Sequence, residues 1–245
     1  MTIETLKQTC PAVFADSPHP DVSDAYDFLP SQPIVERLLE QGWTIRSAHQ
    51  NNKTDPYATH RIIFDVPGAP RIKQVGEVWP TATFYNSHNR QRRGSFSVGF
   101  FRTWCSNQCQ VSVLSTGFDK IHLRGSTVQL DAMVNHVLEE MNELPKMFEH
   151  MNNVELNVHQ RIKFGQQVLS IQRYNDTSLA HLFASDAAET LLTPRRDMDR
   201  GNRLWNVYNV AQEAVLNGSR GGVKEVNRNR KLNLEIWNAA KAWLN

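Results

Sequence analysis

The chain has 245 residues, of which 40% are hydrophobic, so it can bury a core and is not a disordered chain. No run approaches the roughly 20 apolar residues of a membrane helix, and the first residues lack a signal-peptide pattern. Three cysteines, an odd number, do not suit a secreted disulfide framework. Together these features predict a cytoplasmic protein of a bacterial cell. Net charge is only +2, but residues 60–130 carry +6 and residues 193–245 carry +5, whereas residues 1–59 and 131–192 are acidic. The two basic segments either meet on one face and bind a polyanion, or pair with the acidic segments.

Residues 1–33 contain five prolines, which break any long helix, and we predict an irregular N-terminal arm. Apolar residues at helical spacing then follow Ser31, and Gly42 is typical of a helix end. The next residues, Trp43-Thr-Ile-Arg, predict a strand with Trp43 in the core.

Residues 43–124 are rich in β-branched and aromatic side chains that partly alternate, as in HRIIFDV, VWPTATFYNSH, GSFSVGFFRTW and CQVSVLS. Breaks such as NRQRRG at 89–94 separate these runs. The pattern predicts an antiparallel meander of three to five strands, and NRQRRG predicts a hairpin tip that carries three arginines.

Residues 126–245 are predicted to be helical, with N-caps at Ser126 or Thr127 and an apolar stripe of period 3.6 from residue 134 to 151. Pro145 is expected to kink or restart that helix. Further helices are predicted from about Asn157, over SLAHLFA, over RLWNVYNVAQEAVLNG and over LNLEIWNAAKAWL, with a basic loop at 219–230. Strands first and helices later predict one α+β domain over residues 34–245.

The β-rich segment interleaves aromatic rings with cations, which is the pattern of single-strand binding surfaces, where rings stack on bases and cations follow phosphates. The candidate nucleic-acid-binding residues there are Arg90, Arg92, Arg93, Phe100, Arg102 and Trp104. Alternation places Phe100, Arg102 and Trp104 on one face of a strand, and that face is either a binding surface or the edge of the core. A second basic edge is predicted from Arg195, Arg196, Arg228 and Arg230.

The sequence shows no phosphate loop, nucleophile elbow, dinucleotide fingerprint or zinc-protease motif, so we predict no catalytic residues and no cofactor. Cys105 and Cys109, near His88 and His122, make a zinc site conceivable, but the C-x3-C spacing on a strand favours buried thiols and no metal.

His88 is either a general base or a hydrogen-bonding residue at a strand end. Acidic residues at 131–143 fit a solvated helix face better than a nuclease site.

Four blocks resemble the family numbered 932 among domains of unknown function, whose members occur in phages, plasmids and integrated elements. These blocks are YNSHNRQRRGSFSVGFFRTWCSNQ at 85–108, IHLRGS at 121–126, TPRRDMDRGNRLWNVYNVAQEAVLNG at 193–218 and VNRNRKLNLEIWNAAKAW at 226–243. Asn89-Arg90 stands where many members have Asp-Gly. The resemblance implies a protein of mobile-element replication, recombination or host-defence modulation, and the order of elements is similar to that of phage single-strand annealing proteins.

The leading hypothesis is therefore a phage or mobile-element protein that binds single-stranded DNA, or anneals it as a homo-oligomer. The alternative is a protein-interaction module, such as an inhibitor of a host defence complex or a phage assembly factor, whose basic surface meets an acidic host or phage protein. A metal-dependent nuclease is a third hypothesis. No membrane association is expected.

Overall fold

The computed structural model describes residues 1–69, 78–102, 127–172, 185–217 and 224–244. Four strands, β1 (Thr44–Gln50), β2 (His60–Asp65), β3 (Val78–Asn86) and β4 (Ser95–Arg102), form one antiparallel sheet in the order β1-β2-β3-β4. The predicted meander and the α+β class are thus confirmed. The expected strand at 109–115 lies outside the described residues.

One face of this sheet forms part of the hydrophobic core, because alternate residues of each strand point to the same side. Ile62 and Phe64 of β2, Phe84 of β3, and Phe96 and Phe100 of β4 are all buried in the same cluster. The opposite face is polar but also buried, and it includes the residues Arg61, Thr83, Tyr85, Ser95 and Ser97.

The N-terminal arm is more ordered than the prolines predict. It contains helix α1 (Ile3–Thr9), capped by the Thr2 side chain, and a 3-10 helix at Pro11–Phe14, and helix α2 (Ser31–Glu40) follows. Leu6, Cys10 and Val13 belong to the same buried cluster as the sheet. The prediction of an irregular arm is therefore wrong for the first 14 residues, whose buried side chains supply the packing that propensity alone does not.

Helix α3 (Thr127–Asn153) runs along the core face of the sheet and continues through Pro145. Its predicted stripe is confirmed, since the described apolar residues at this spacing are buried or packed against the core. Helices α4 (Val158–Gln172) and α5 (Ser185–Leu191) pack on each other. The helix predicted over SLAHLFA falls outside the described residues.

Helices α6 (Leu204–Asn217) and α7 (Val226–Lys241) complete the fold. The predicted basic loop ends too late, because residues from Val226 onward are already helical and Glu225 caps the helix by accepting the N–H groups of Asn227 and Arg228. Arg228 and Arg230 consequently lie on the first turns of a helix rather than in a loop.

Aromatic rings join the sheet to the helices. The Trp205 ring lies edge-on to Phe100, 5.5 Å between centroids, and to Phe148, 4.9 Å. Tyr208 meets Trp237 in the same way at 5.4 Å. The two halves of the chain therefore share one core, in which Phe100 is a central ring.

A seam of buried amides lies between α6 and α7 and reaches the sheet. Gln212 donates to the Asn233 carbonyl oxygen, Asn233 donates to Asn229, and the Asn229 side-chain oxygen accepts from Arg61 of β2 at 2.8 Å. Because an unpaired buried amide costs about 1–3 kcal/mol, these bonds fix how α7 sits against β2 and β3.

No helix in the described part of the chain is both long and apolar enough to cross a bilayer.

Replacing Phe100 with alanine is expected to lower the free energy of unfolding by about 3–5 kcal/mol, because it removes a ring enclosed by Phe148 and Trp205. Chemical denaturation monitored by circular dichroism measures this. Val158→Ala, at a side chain in α4 that is 64% exposed, is the control and should change the free energy of unfolding by less than about 0.5 kcal/mol. A loss below about 1 kcal/mol at Phe100 would contradict its central place in the core.

Candidate functional site

The turn between β3 and β4 is held by the hydroxyl group of Ser87. Its oxygen accepts the backbone N–H of Arg92 at 2.7 Å and it donates to the Arg92 carbonyl at 2.9 Å. One side chain thus satisfies both backbone groups of Arg92. The predicted hairpin carrying three arginines is present, and its loop spans residues 87–94.

The N-terminal arm closes against this hairpin through Asn86, the last residue of β3. The Asn86 amide nitrogen donates to the Leu29 carbonyl and to the Ser31 hydroxyl, both at 2.9 Å, while its oxygen accepts the Ser87 N–H. The Tyr26 hydroxyl donates to the Ser87 carbonyl at 3.0 Å. Residues 26–31 therefore lie beside the arginines because the Asn-Ser pair binds them there.

Gly94 allows the close approach, since a Cβ atom at this position would collide with the Leu29 side chain.

A cleft of about 470 Å³ lies between the arm and the hairpin. Three guanidinium groups, one carboxylate and one aromatic ring line it, together with smaller groups; the lining residues are Ser23, Ala25, Tyr26, Asp27, Leu29, Asn86, Arg90, Arg92, Arg93 and Gly94. The hairpin arginines predicted to bind a polyanion are thus brought together in one cavity.

The three arginines differ in how firmly they are held. Arg90 and Arg93 are exposed, while Arg92 is half-buried, donates to the Ser95 hydroxyl at 2.8 Å and lies 5.6 Å from the centroid of the Tyr85 ring. A cation over an aromatic ring is stabilised by about 0.5–2 kcal/mol, depending on how far it is desolvated. Arg92 is therefore a fixed charge, flanked by two that reach solvent.

Arg90 has a backbone φ of 68°, in the left-handed region that glycine adopts readily and other residues avoid. Among the residues that the structure describes, Arg90 is the only one other than glycine with a positive φ. The local backbone thus favours glycine at this position, and the chain carries a cation there instead.

Tyr26 is the residue of this cleft that the sequence did not point out. Its ring is half-buried against the hairpin, and burial raises the pKa of its hydroxyl. The sequence around Tyr26, rich in aspartate and proline, has no periodicity that marks this residue. Its hydrogen bond to Ser87, 61 residues later in the chain, places it beside the hairpin arginines.

Arg196, one of the four arginines of the second predicted basic edge, stabilises the fold. Its guanidinium group makes a two-pronged ion pair with Glu213, at 2.8 and 3.0 Å, and contacts Asp199 at 3.5 Å. Both carboxylates are buried and would be strongly destabilised without a cation. Arg195 is exposed and lies 3.9 Å from Glu213.

The two arginines of this predicted edge that belong to α7 also differ in exposure. Arg228 is exposed, whereas Arg230 is buried and lies 5.6 Å from the centroid of the Tyr85 ring. Arg92 and Arg230 thus converge on Tyr85, which is the point where the two basic segments meet. Of the four arginines predicted for this edge, Arg195 and Arg228 are exposed, Arg196 is half-buried in its ion pair with Glu213, and Arg230 is buried.

Phe100 was expected to stack on bases or shape a groove, but its side chain is 1% exposed and contacts Phe148 and Trp205. It has no accessible face for a base, so that expectation is corrected by its burial. The Arg102 backbone ends β4, and Trp104 lies outside the described residues.

His88 is fully buried, with its ring 5.0 Å from Phe28 and 5.3 Å from His60 between centroids. Burial lowers the pKa of His88 to about 4 and that of His60 to about 3. His60 bonds the Ser31 hydroxyl and the Ala58 carbonyl. This enclosed, neutral ring favours the structural interpretation of His88 over a general base.

Among the described residues, no group of three or more histidine, cysteine, aspartate or glutamate side chains could hold a metal ion. Cys105, Cys109 and His122, the partners of the conceivable zinc site, lie outside that part of the chain.

The family described as "Domain of unknown function (DUF932)" has a model that matches residues 18–237, a range that includes the second half of the arm, the hairpin and α6. The chain is 25% identical over 264 residues to the UPF0380 protein YfjQ of Escherichia coli strain K12, and 26% identical over 267 residues to the UPF0380 protein YafZ of the same strain. Each alignment covers 100% of this chain and 92% of the relative. No solved structure matches.

Acidification from pH 7 to pH 5.5 is expected to lower the free energy of unfolding by about 2–3 kcal/mol through His60 and His88. The pKa values of both histidines are lower in the folded protein than in the unfolded chain, where they are about 6.5. Below pH 6.5 the unfolded chain therefore binds protons that the folded protein does not, and the free energy of unfolding falls. His88→Phe should remove about half of the loss, because the phenyl ring preserves the packing and cannot bind a proton. Urea denaturation at a series of pH values tests this. His159→Gln, at an exposed side chain of α4, is the control.

Arg90→Gly is expected to leave the free energy of unfolding unchanged or raise it by up to about 1 kcal/mol, because relief of the left-handed strain offsets the added flexibility of the unfolded chain. Thermal and urea unfolding measure this. An exposed arginine of ordinary backbone, Arg228→Gly in the first turn of α7, should instead lower stability by about 1 kcal/mol. A comparable loss at Arg90 would contradict the strained geometry.

Proposed function

Because this chain belongs to the DUF932 family, whose description assigns no function, we propose from the geometry that it binds single-stranded nucleic acid through the cleft between the arm and the arginine hairpin. The proposal places it in replication or recombination of a phage or other mobile element, in the cytoplasm of the bacterial cell, with annealing by a homo-oligomer as the specific form.

The observation that carries the proposal is that Arg90, Arg92 and Arg93 line one cavity. Guanidinium groups bind phosphate oxygens by paired charge-assisted hydrogen bonds, and a fixed cation beside two exposed ones suits a flexible phosphate backbone. Arg92 is fixed by Ser87, Ser95 and Tyr85, so it needs little ordering when a ligand binds.

Tyr26 gives this cleft an aromatic ring next to the cations. Stacking of a base on such a ring contributes about 1–3 kcal/mol and tolerates any base, which fits binding without sequence preference. In the proposal Tyr26 takes the role first expected of Phe100. Arg102 and Trp104 remain predictions outside this cleft, since the Arg102 backbone lies at the end of β4 opposite the hairpin.

The second basic edge contributes less than the sequence suggested. Arg195 and Arg228 are exposed and add positive potential, whereas Arg196 and Arg230 hold the fold through Glu213 and Tyr85. In the proposal, the positive charges of Arg195 and Arg228 attract a nucleic-acid strand toward the hairpin from a distance.

We expect the protein to bind a labelled 20-nucleotide single strand at low salt, with affinity that falls steeply as salt rises, by a slope of about −0.7 per phosphate contacted. The double variant Arg90→Gly, Arg93→Gln should reduce the magnitude of that slope by about 1.4, because two phosphate contacts are removed. Fluorescence anisotropy at several salt concentrations measures it. Arg92 is left unchanged because it also supports the hairpin.

Lys146→Gln, which removes one positive charge from an exposed side chain of α3, is a control for charge loss away from the cleft and should leave the slope unchanged. Undetectable binding at low salt, or an unaltered slope in the double variant, would refute the proposal. Copurification of a host or phage protein without oligonucleotide binding would favour the protein-interaction alternative.

A further inference from the structure

We propose that the cleft receives the end of a strand at its terminal phosphomonoester, rather than a phosphodiester in the middle of a strand. This inference rests on the proposed function and deepens it, because it names the chemical group that the arginine cleft holds.

The charge of the cleft is the first argument. The residues that line it include three arginines and a single carboxylate, that of Asp27. A phosphomonoester carries a charge of about −1.5 to −2 at pH 7, whereas an internal phosphodiester carries −1. Three guanidinium groups against one carboxylate therefore match the terminal group more closely.

The wall opposite the hairpin is the second argument. Residues 15–30 of the arm contain four aspartates, Asp16, Asp21, Asp24 and Asp27, and no lysine or arginine. Tyr26 and Leu29 bind this stretch to the hairpin. A strand that entered over the hairpin and left over the arm would carry its next phosphates past these carboxylates, and like charges repel. A strand that ends in the cleft meets no such repulsion.

The size of the cavity is the third argument. A volume of about 470 Å³ lies in the range of pockets that enclose one small ligand, which is about 300–1,000 Å³. It suits one terminal nucleotide, with its phosphate at Arg90, Arg92 and Arg93 and its base beside the Tyr26 ring.

The experiment compares four forms of one 20-nucleotide sequence that differ only at their ends: a 5′-phosphate, a 3′-phosphate, two hydroxyl ends, and a ligated circle. The full-length protein is used, and anisotropy competition gives each affinity. At least one phosphate-ended strand is expected to bind about fivefold or more tightly than the hydroxyl-ended strand and the circle. Which of the two phosphates is preferred identifies the strand end.

Arg90→Gly is expected to abolish this preference without loss of folding stability, whereas Lys146→Gln should preserve it. A nucleoside monophosphate should compete with the phosphate-ended strand and only weakly with the circle.

Equal binding of all four forms, weakened by the arginine substitutions, would overturn the terminal-phosphate inference while the proposed function stands. No binding of any form would overturn both. A preference for phosphate ends that persists in the Arg90→Gly, Arg93→Gln variant would place the end-binding site outside this cleft and overturn the inference as well.

Discussion

The amide group of Asn86 is the interaction on which the arrangement of this protein's candidate site depends. It ends β3, fastens the arm at Leu29 and Ser31, and positions Ser87, whose hydroxyl in turn fixes the turn that carries the arginines. Because Asn86 is buried, each of these bonds would be costly to leave unmade. The Asn-Ser-His stretch of the hairpin thus has a structural explanation: Asn86 binds the arm, Ser87 binds the loop, and the His88 ring packs between Phe28 of the arm and His60 of β2.

Burial separates the arginines of this chain into two kinds. Arg61 and Arg230 are buried and Arg196 is half-buried, and they are held by Asn229, the Tyr85 ring and Glu213 respectively. Arg90 and Arg93 extend from the hairpin into solvent. A guanidinium group that has already lost its water to a protein partner gains little from a phosphate, whereas an exposed one keeps its binding capacity.

The strands and the helix α3 were predictable because their signals are local: alternation of β-branched and aromatic residues, or an apolar stripe of period 3.6. The start of α7 was not, since three of the residues buried in its first turns, Asn229, Arg230 and Asn233, are polar and interrupt the hydrophobic period. The hairpin arginines could be named from the sequence, but their shared cleft with Tyr26 could not. That contact depends on the arm folding back across some 60 residues of chain, and no local pattern encodes such a return.

The Tyr85 ring, contacted by Arg92 from the hairpin and by Arg230 from α7, has a consequence for how the protein matures on the ribosome. Synthesis proceeds from the N-terminus, so the sheet emerges long before residue 230 does. The nascent hairpin can pair its strands early, but Tyr85 acquires its second cation only when nearly the whole chain has been made. The surroundings of the ring that Arg92 contacts are therefore complete only once residue 230 has been synthesised.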